Sequence, residues 1–344
     1  MKYKVAISKR TLHFKQPAGT SRGVYKTRDS WFLELTSEER PGVKGVGECA
    51  TLPDLSCDAI PEYEKILRAV CQQFETTGMI DYNMLRPYPS ILFGLETALA
   101  QFNASGSTAL FDTPFARGEE GITINGLVWM GTFDEMYARL EEKLKAGFHC
   151  VKLKIGAIDF EREIDLIRHI REHFTKEQIE LRVDANGGFS PDDALDKLNR
   201  LSKYDIHSIE QPIRQHQWGE MARLCRESPL PIALDEELIG VNMRMMKADL
   251  LDTIRPAYII LKPSLHGGMK GCEEWIQLAR ERGIGSWITS ALESNVGLNA
   301  IAHFAAKMYG PNVQMPQGLG TGQLFTDNIP MPIEVRGEKL FYNA

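Results

Sequence analysis

No part of this sequence approaches the roughly 20 consecutive apolar residues that span a bilayer, so a helical membrane protein is not expected. A secretory leader is not expected either: Met-Lys-Tyr-Lys-Val-Ala-Ile-Ser-Lys-Arg carries charges where a signal peptide needs an unbroken apolar run. There is no basic excess. Forty Lys and Arg face 46 Asp and Glu, a formal charge of -6 with both signs mixed along the chain. A nucleic-acid surface would need a basic face or stripe, and an anionic membrane a polybasic segment. Neither partner is therefore expected. The six cysteines, Cys49, Cys57, Cys71, Cys150, Cys225 and Cys272, form no Cys-x-x-Cys pair. That spacing favours free thiols in a reducing compartment over disulfides or a zinc site, and a cytoplasmic location is expected.

What is present is ordinary for a globular protein with a sizeable core: 344 residues, 43% hydrophobic and 25% charged. The length suggests two parts sharing one body. The first part reads as strands and then helices, a small α+β unit. Its strands are expected at Tyr3–Phe14, Ser30–Thr36 and Lys44–Cys49, and its helices around Pro61–Phe74 and Ser90–Phe102. Lys15 to Gly23, rich in Gly, Pro and Ser, should be a mobile loop.

From about residue 122 short apolar strands alternate with amphipathic segments. Strands are expected at Ile122–Val128, Cys150–Ile155, Ile179–Val183, Ile206–Ile209, Pro231–Leu234, Tyr258–Leu261, Gly285–Thr289 and Val313–Pro316. Each of the first seven is followed by a helical pattern: Phe133–Lys145, Phe160–Phe174, Asp192–Leu201, Trp218–Glu227, Met243–Leu251, Gly271–Arg282 and Val296–Met308. A repeat of about 25 to 30 residues is the size of a βα unit, and eight units close into a parallel barrel. The expected fold is α/β, a (β/α)8 barrel with an N-terminal α+β domain. An open doubly wound sheet is the alternative. The end of the chain should return to the first part.

Five successive strands finish on a charge: Lys154, Asp184, Glu210, Asp235 and Lys262. In a closed barrel the strand C-termini ring one mouth, where such folds build active sites. Lys152 and Lys154, two apart, point to the same side of the sheet. Three carboxylates crowded together repel one another unless a cation binds them, and an all-oxygen set suits Mg²⁺ or Mn²⁺. Such an ion acidifies the α-proton of a bound carboxylate by stabilising the enediolate. A lysine beside it can act as the base when a second ammonium and the ion lower its pKa. The bland alternative is that each charge is a solvated loop residue. Five on five successive strands argue against it.

Val-Lys-Leu-Lys-Ile-Gly (151–156), Val-Asp-Ala-Asn (183–186), Ile-Glu-Gln-Pro (209–212), Leu-Asp-Glu (234–236) and Ile-Leu-Lys-Pro (260–263) together resemble the enolase superfamily, in its muconate-lactonising subgroup. The resemblance covers nearly the whole chain. It implies that Asp184, Glu210 and Asp235 hold the metal. It also implies that Lys154 and Lys262 are catalytic. Residues 1–115 would form a capping domain whose loops around 15–24 and 47–57 close over the substrate. Residues 116–324 would form the barrel, with about 325–344 packing back on the cap. Segments 45–53, 289–297 and 318–328 resemble a dehydratase family of that subgroup that serves menaquinone biosynthesis. The implied reaction is dehydration of 2-succinyl-6-hydroxy-2,4-cyclohexadiene-1-carboxylate to 2-succinylbenzoate. Lys154 would take the α-proton, Lys262 would stabilise the enediolate as a cation, and Lys152 would neighbour the substrate carboxylate. Asn186, Ser290, Glu293 and Ser294 are further substrate-binding candidates by position.

Racemisation of an N-succinylamino acid would suit the same lysine pair. Dipeptide epimerisation is disfavoured, because no acid precedes Asp327 in Gly318-Leu-Gly-Thr-Gly322 and the residues that follow. That segment reads as a tight turn near the substrate. A Schiff-base aldolase would not explain three acids, and a non-catalytic metal-retaining barrel would not need all five charges. His169-Ile-Arg-Glu-His173 fits a zinc-peptidase pattern. His169 lies roughly 200° round from the apolar stripe, however, and should face solvent. Homo-oligomer formation is left open.

Overall fold

The computed structural model describes residues 1–20, 23–129, 131–156, 159–311, 313 and 315–344, without the side chains of 19, 20 and 23. The chain opens with a long antiparallel hairpin, β1 (Tyr3–Thr20) and β2 (Gly23–Ser37), joined by β3 (Gly45–Cys49). Helices α1 (Tyr63–Thr77), α2 (Tyr82–Leu85) and α3 (Pro89–Asn103) follow. Leu33 and Leu35 from the sheet meet Leu67 and Phe74 of α1 and Phe102 of α3 in one core. Gly45 and Gly47 bring β3 against the α3 backbone, since a Cβ at either would overlap carbonyl oxygens of that helix.

The expected loop at 15–23 instead continues β1 to Thr20 and is paired with β2 from Ala18 onward. Ala18 pairs with Tyr25 and Gly19 with Val24, after a register shift between His13 and Ala18. The shift accommodates Pro17, which has no N–H to give to a regular ladder. Ser21 and Arg22 lie outside the described residues.

After β4 (Ile122–Thr123) come seven parallel strands in chain order: β5 (Gly126–Val128), β6 (Cys150–Lys154), β7 (Glu180–Asp184), β8 (Ser208–Glu210), β9 (Ile232–Leu234), β10 (Tyr258–Leu261) and β11 (Gly285–Ile288). Helices α4 (Phe133–Lys145), α5 (Phe160–His173), α6 (Pro191–Leu201), α7 (Trp218–Glu227), α8 (Arg244–Ile254), α9 (Gly268–Glu281) and α10 (Asn295–Tyr309) follow them one for one. Two of these starts are capping boxes: Thr132 with Glu135 opens α4, and Ser190 with Asp193 opens α6 behind Pro191 at its first turn.

The eighth position differs from the expected strand at Val313–Pro316. Pairing falls at Gln317, bridged in parallel to Ile124, and at Gly318, bridged in parallel to Thr289. Pro316 cannot donate to a ladder, and among the described residues the bonds are Gln317 N–H to Thr123 O at 2.8 Å and Gly318 N–H to Ile288 O at 2.9 Å. Gln314 lies outside the described residues. These bridges close the barrel. The expected strand Ile122–Val128 is also divided: β4 leaves the barrel and pairs with β13 (Lys339–Tyr342), itself paired with β12 (Ile333–Arg336). The C-terminal segment therefore splits. Phe325 bridges Phe14 of β1, and Asp327 accepts from His13, whereas the terminal hairpin adds to β4 and not to the β1–β3 sheet.

Between strands and outer helices lies the main apolar layer, which includes Val151, Leu153, Leu181, Val183 and Ile209. Alternation turns the intervening residues inward. The barrel floor is Arg182, whose guanidinium lies 4.5 Å from the Trp287 ring centroid and donates to Pro316 O at 3.0 Å. Among the described residues no helix is long and apolar enough to cross a membrane.

Candidate active site

Two residues above Arg182 on β7, the barrel interior changes from packed to charged. Register pairs Lys154 with Asp184 and Asp184 with Glu210 on neighbouring strands, so the three side chains form one row across the mouth. Asp235 and Lys262 each follow directly on their strand, β9 and β10, and continue the row. The carboxylates are essentially without solvent contact, at 0%, 2% and 0% exposure for Asp184, Glu210 and Asp235.

The lysines are their counter-charges. Lys152 Nζ donates to Glu210 Oε2 at 2.7 Å and Asp184 Oδ2 at 3.3 Å. Lys154 Nζ donates to Asp184 Oδ2 at 2.5 Å, and Lys262 Nζ to Asp235 Oδ2. Burial alone would lower the Lys152 pKa, but the charges of Glu210 and Asp184 outweigh it and hold it well above its ordinary value. Lys262 is raised in the same way, burial being overcome by Asp235 and then Glu210. On the acid side burial opposes ionisation of Asp184, and Lys154 and Lys152 overcome it, holding it below the usual carboxylate range. Glu210 goes the other way. Burial, reinforced by the Asp184 charge and only partly offset by Lys152, pushes it up to about 8. Asp235 is raised by burial despite Lys262.

This donor set fits a hard divalent cation. Glu210 Oε1 and Asp235 Oδ1 are buried without a hydrogen-bond partner among the described residues, which is costly for a carboxylate unless a cation meets it. The three carboxylates do not all come within 4.8 Å of one another, and Lys152 bonds to both Asp184 and Glu210. Among the described residues the set that does is His169, Glu172 and His173 on the outer face of α5. His169 is half-buried beside the Tyr137 ring at 5.0 Å, not fully solvated as its helical position suggests. Arg168 approaches the same Glu172 at 3.8 Å, and His173 Nδ1 is taken by the His169 carbonyl at 2.8 Å. That set lies on an outer helix, away from the barrel mouth.

Above the charged row a cleft open to solvent reaches up to the hairpin and the β3 loop. Its walls are mixed. Lys152, Lys154 and Lys262 lie at the bottom, Leu52, Leu55 and Tyr25 descend from the first part of the chain, and Trp129 and Leu292 stand on the barrel rim. Tyr25 is steadied by its hydroxyl donating to Pro53 O at 2.8 Å.

Of the candidates chosen by position, Ser290 and Asn186 reach the cleft. Ser290 Oγ lies 2.6 Å from Thr321 Oγ1, a hydroxyl pair on the rim. Glu293 and Ser294 do not line it. Glu293 is wholly buried, accepting from Ser264 Oγ and from Ala291 N–H at 2.7 Å. Ser294 caps α10 and donates to Glu48 Oε2 at 2.6 Å. Both hold the rim from behind. The Gly318–Gly322 turn does reach the cleft through Gly318, Gly320 and Thr321, and a Cβ at Gly318 would collide with Thr289.

Position alone missed the apolar wall and Glu236. The wall residues come from segments far apart in sequence. Glu236, directly after Asp235, carried a local signal, since a second acid there has no reason to be buried in an ordinary loop.

A closed parallel barrel carrying a carboxylate row flanked by lysines, under an α+β unit, defines the enolase class of enzymes. Residues 135–336 match the family model described as enolase C-terminal domain-like, and residues 11–102 that of the MenC N-terminal domain. The o-succinylbenzoate synthase of Desulfotalea psychrophila is 47% identical over 357 aligned positions covering 95% of each chain. The crystal structure of MenC from that organism superposes with a TM-score of 0.85 at 43% identity, covering 99% of this chain and all of that one (100%). A muconate lactonizing enzyme from Pseudomonas fluorescens, 20% identical, shares the fold with a TM-score of 0.79 over 98% of this chain and 93% of its own. This chain belongs to the o-succinylbenzoate synthase family of the enolase superfamily. It is a lyase, a dehydratase, of a superfamily whose enzymes use a divalent metal.

Proposed function

We propose that this chain dehydrates 2-succinyl-6-hydroxy-2,4-cyclohexadiene-1-carboxylate to 2-succinylbenzoate in menaquinone biosynthesis, in the cytoplasm. Residues 1 to about 115 act as the cap and residues 116–324 as the catalytic barrel. The observation that carries the reading is the placement of Lys154 and Lys262 at opposite ends of one row of buried carboxylates, both facing the cleft.

Asp184, Glu210 and Asp235 would hold Mg²⁺, with Mn²⁺ as a substitute. The bound ion supplies a positive charge that lowers the acidity barrier at the carbon beside the substrate carboxylate. Lys154 removes that carbon's proton, breaking the C1–H bond as its electrons move toward the carboxylate. Lys262, held as an ammonium by Asp235, faces the negative charge that builds up. The C6–O bond then breaks, and the hydroxide leaves as water with the proton Lys154 carries. Aromatisation supplies much of the driving force. Lys152 neighbours the substrate carboxylate. The apolar wall of Leu52, Leu55 and Trp129 suits a six-membered ring and excludes water from the reacting face. Ser290 and Thr321 offer hydroxyls to the succinyl end.

The test is Lys154→Ala assayed with the cyclohexadiene carboxylate, alongside N-succinylamino acids for racemisation. The variant should be folded, by its circular dichroism, and inert. Near-normal turnover would sink the assignment of Lys154. Much faster racemisation by the unmodified enzyme would replace dehydration with proton return to the opposite face.

A further inference from the structure

We infer that Asn186 is a positioning residue for the Lys154 amine, and that Glu236 acts on the reaction through it by fixing which end of the amide Lys154 meets. The inference rests on the reading of Lys154 as the base. Asn186 stands two residues beyond Asp184, where its own N–H donates to Asp184 Oδ1 at 3.0 Å. Its φ of 44° is left-handed, a conformation asparagine tolerates better than most residues. That turn folds the side chain back over the barrel mouth. Asn186 Oδ1 then lies 2.7 Å from Lys154 Nζ, and Nδ2 lies 2.9 Å from Glu236 Oε1. Glu236 itself is 4% exposed, on the turn that follows Asp235.

Before proton transfer the amide is held at both ends, by Lys154 as an ammonium and by Glu236 as a carboxylate. An ammonium only donates and a carboxylate only accepts, so the NH₂ must face Glu236 and the carbonyl must face Lys154. The Asp184 oxygen that Lys154 also uses is shared with Lys152, whereas the Asn186 carbonyl is bonded to Lys154.

Amide direction decides whether the lysine can act. A neutral amine has two N–H bonds and one lone pair. A carbonyl facing it takes an N–H and leaves the lone pair free to point at the substrate. An inverted amide would present its NH₂ to that lone pair and occupy the base. Glu236 removes the inverted state, because its carboxylate would then face the carbonyl oxygen. Asn186 is thereby moved from a candidate substrate contact to a residue that orients the base.

The experiment is a double-mutant cycle in kcat and KM with Glu236→Gln and Asn186→Gly, both on the metal-saturated enzyme. Glycine keeps the left-handed backbone available. Glutamine preserves size but accepts either amide direction. Glu236→Gln alone should lower kcat about tenfold or more while KM holds, as expected for a misoriented reacting group. In the Asn186→Gly background the same change should alter kcat by no more than about twofold, because the relay is already cut. A Glu236→Gln loss that persists at full size in that background overturns the inference, as does a Glu236→Gln variant with unchanged kcat. A loss confined to KM or to the metal concentration needed for saturation also overturns it. Lys154→Ala measured beside the cycle separates the two levels. If that variant turns over, the base itself is misassigned. If it is inert while the two changes multiply independently, the base stands and the relay through Asn186 falls.

Discussion

Glu48→Ala tests how the first part of the chain is fastened to the barrel. Glu48, on β3 and with no solvent exposure, accepts four hydrogen bonds. One comes from Ser30 Oγ at 2.8 Å on its own sheet. The other three come from the start of α10: Ser294 N–H at 3.0 Å, Ser294 Oγ at 2.6 Å and Gly297 N–H at 2.9 Å. A carboxylate from one unit thus closes the N-terminus of a helix in the other, where free N–H groups and the helix dipole favour a negative charge. Deleting it strands four buried donors. The serine hydroxyls can rotate to other acceptors, so the cost is set by the two backbone N–H groups. At about 1–3 kcal/mol each, with a further ~0.3–2 kcal/mol for the lost charge at the helix end, the expected destabilisation is about 2–8 kcal/mol. Glu48→Gln keeps one acceptor oxygen and should cost roughly half as much. Urea unfolding of both variants, followed by far-ultraviolet circular dichroism, reads the difference. KM should rise in the alanine variant, because the rim residues Thr289 to Leu292 run directly into the helix that Glu48 caps. An alanine variant within about 1 kcal/mol of the parent, or a glutamine variant as damaged as alanine, would refute the reasoning.

Two further outcomes follow from the same charges. Glu96 of α3 accepts from Met269 and Lys270 N–H at 2.5 and 3.0 Å at the start of α9, and burial pushes its pKa from 4.5 up to about 8. The folded protein therefore binds this proton more tightly than the unfolded chain, and the stability it contributes is full below about pH 4.5 and lost as pH rises through 8. Unfolding free energy should fall by several kcal/mol across that window and fall less in Glu96→Gln; parallel pH profiles for the two would count against it. Chelation followed by Mg²⁺ at about 100 times its dissociation constant should restore activity and add about 2.7 kcal/mol of stability, a few degrees in Tm. Asp235→Asn should lose that shift, and an undiminished shift in the variant would remove Asp235 from the metal site.

The barrel was legible because its signals are local. Alternating short apolar strands and 3.6-period helices set the βα repeat, and α4, α7 and β10 fall at the residues the pattern predicts. The charged row was equally legible. A charge after an apolar strand ends up at the strand's C-terminal mouth in a parallel barrel, so Lys154, Asp184, Glu210, Asp235 and Lys262 needed only the period to be brought together. Where the signal was ambiguous the reading missed. Residues 18–20 form ladder because the partner strand β2 supplies the bonds that composition does not reveal, and Lys15 N–H bonds instead to Leu324 O at 2.8 Å. Among the described residues the eighth strand's pairing falls at Gln317 and Gly318, set by both neighbouring strands at once.

Sequence alone thus determined the fold class and the ring of acids and lysines, since both follow from periodicity along the chain. Tertiary structure decided what surrounds that ring. Glu293, bonded to Ser264, and Ser294, bonded to Glu48, proved to be buttresses, with Leu52, Leu55 and Trp129 as the wall. Asn186 lies between Lys154 and Glu236. These are contacts between residues dozens to hundreds of positions apart, and no local pattern records which side chains a closed barrel and the N-terminal α+β unit will bring face to face.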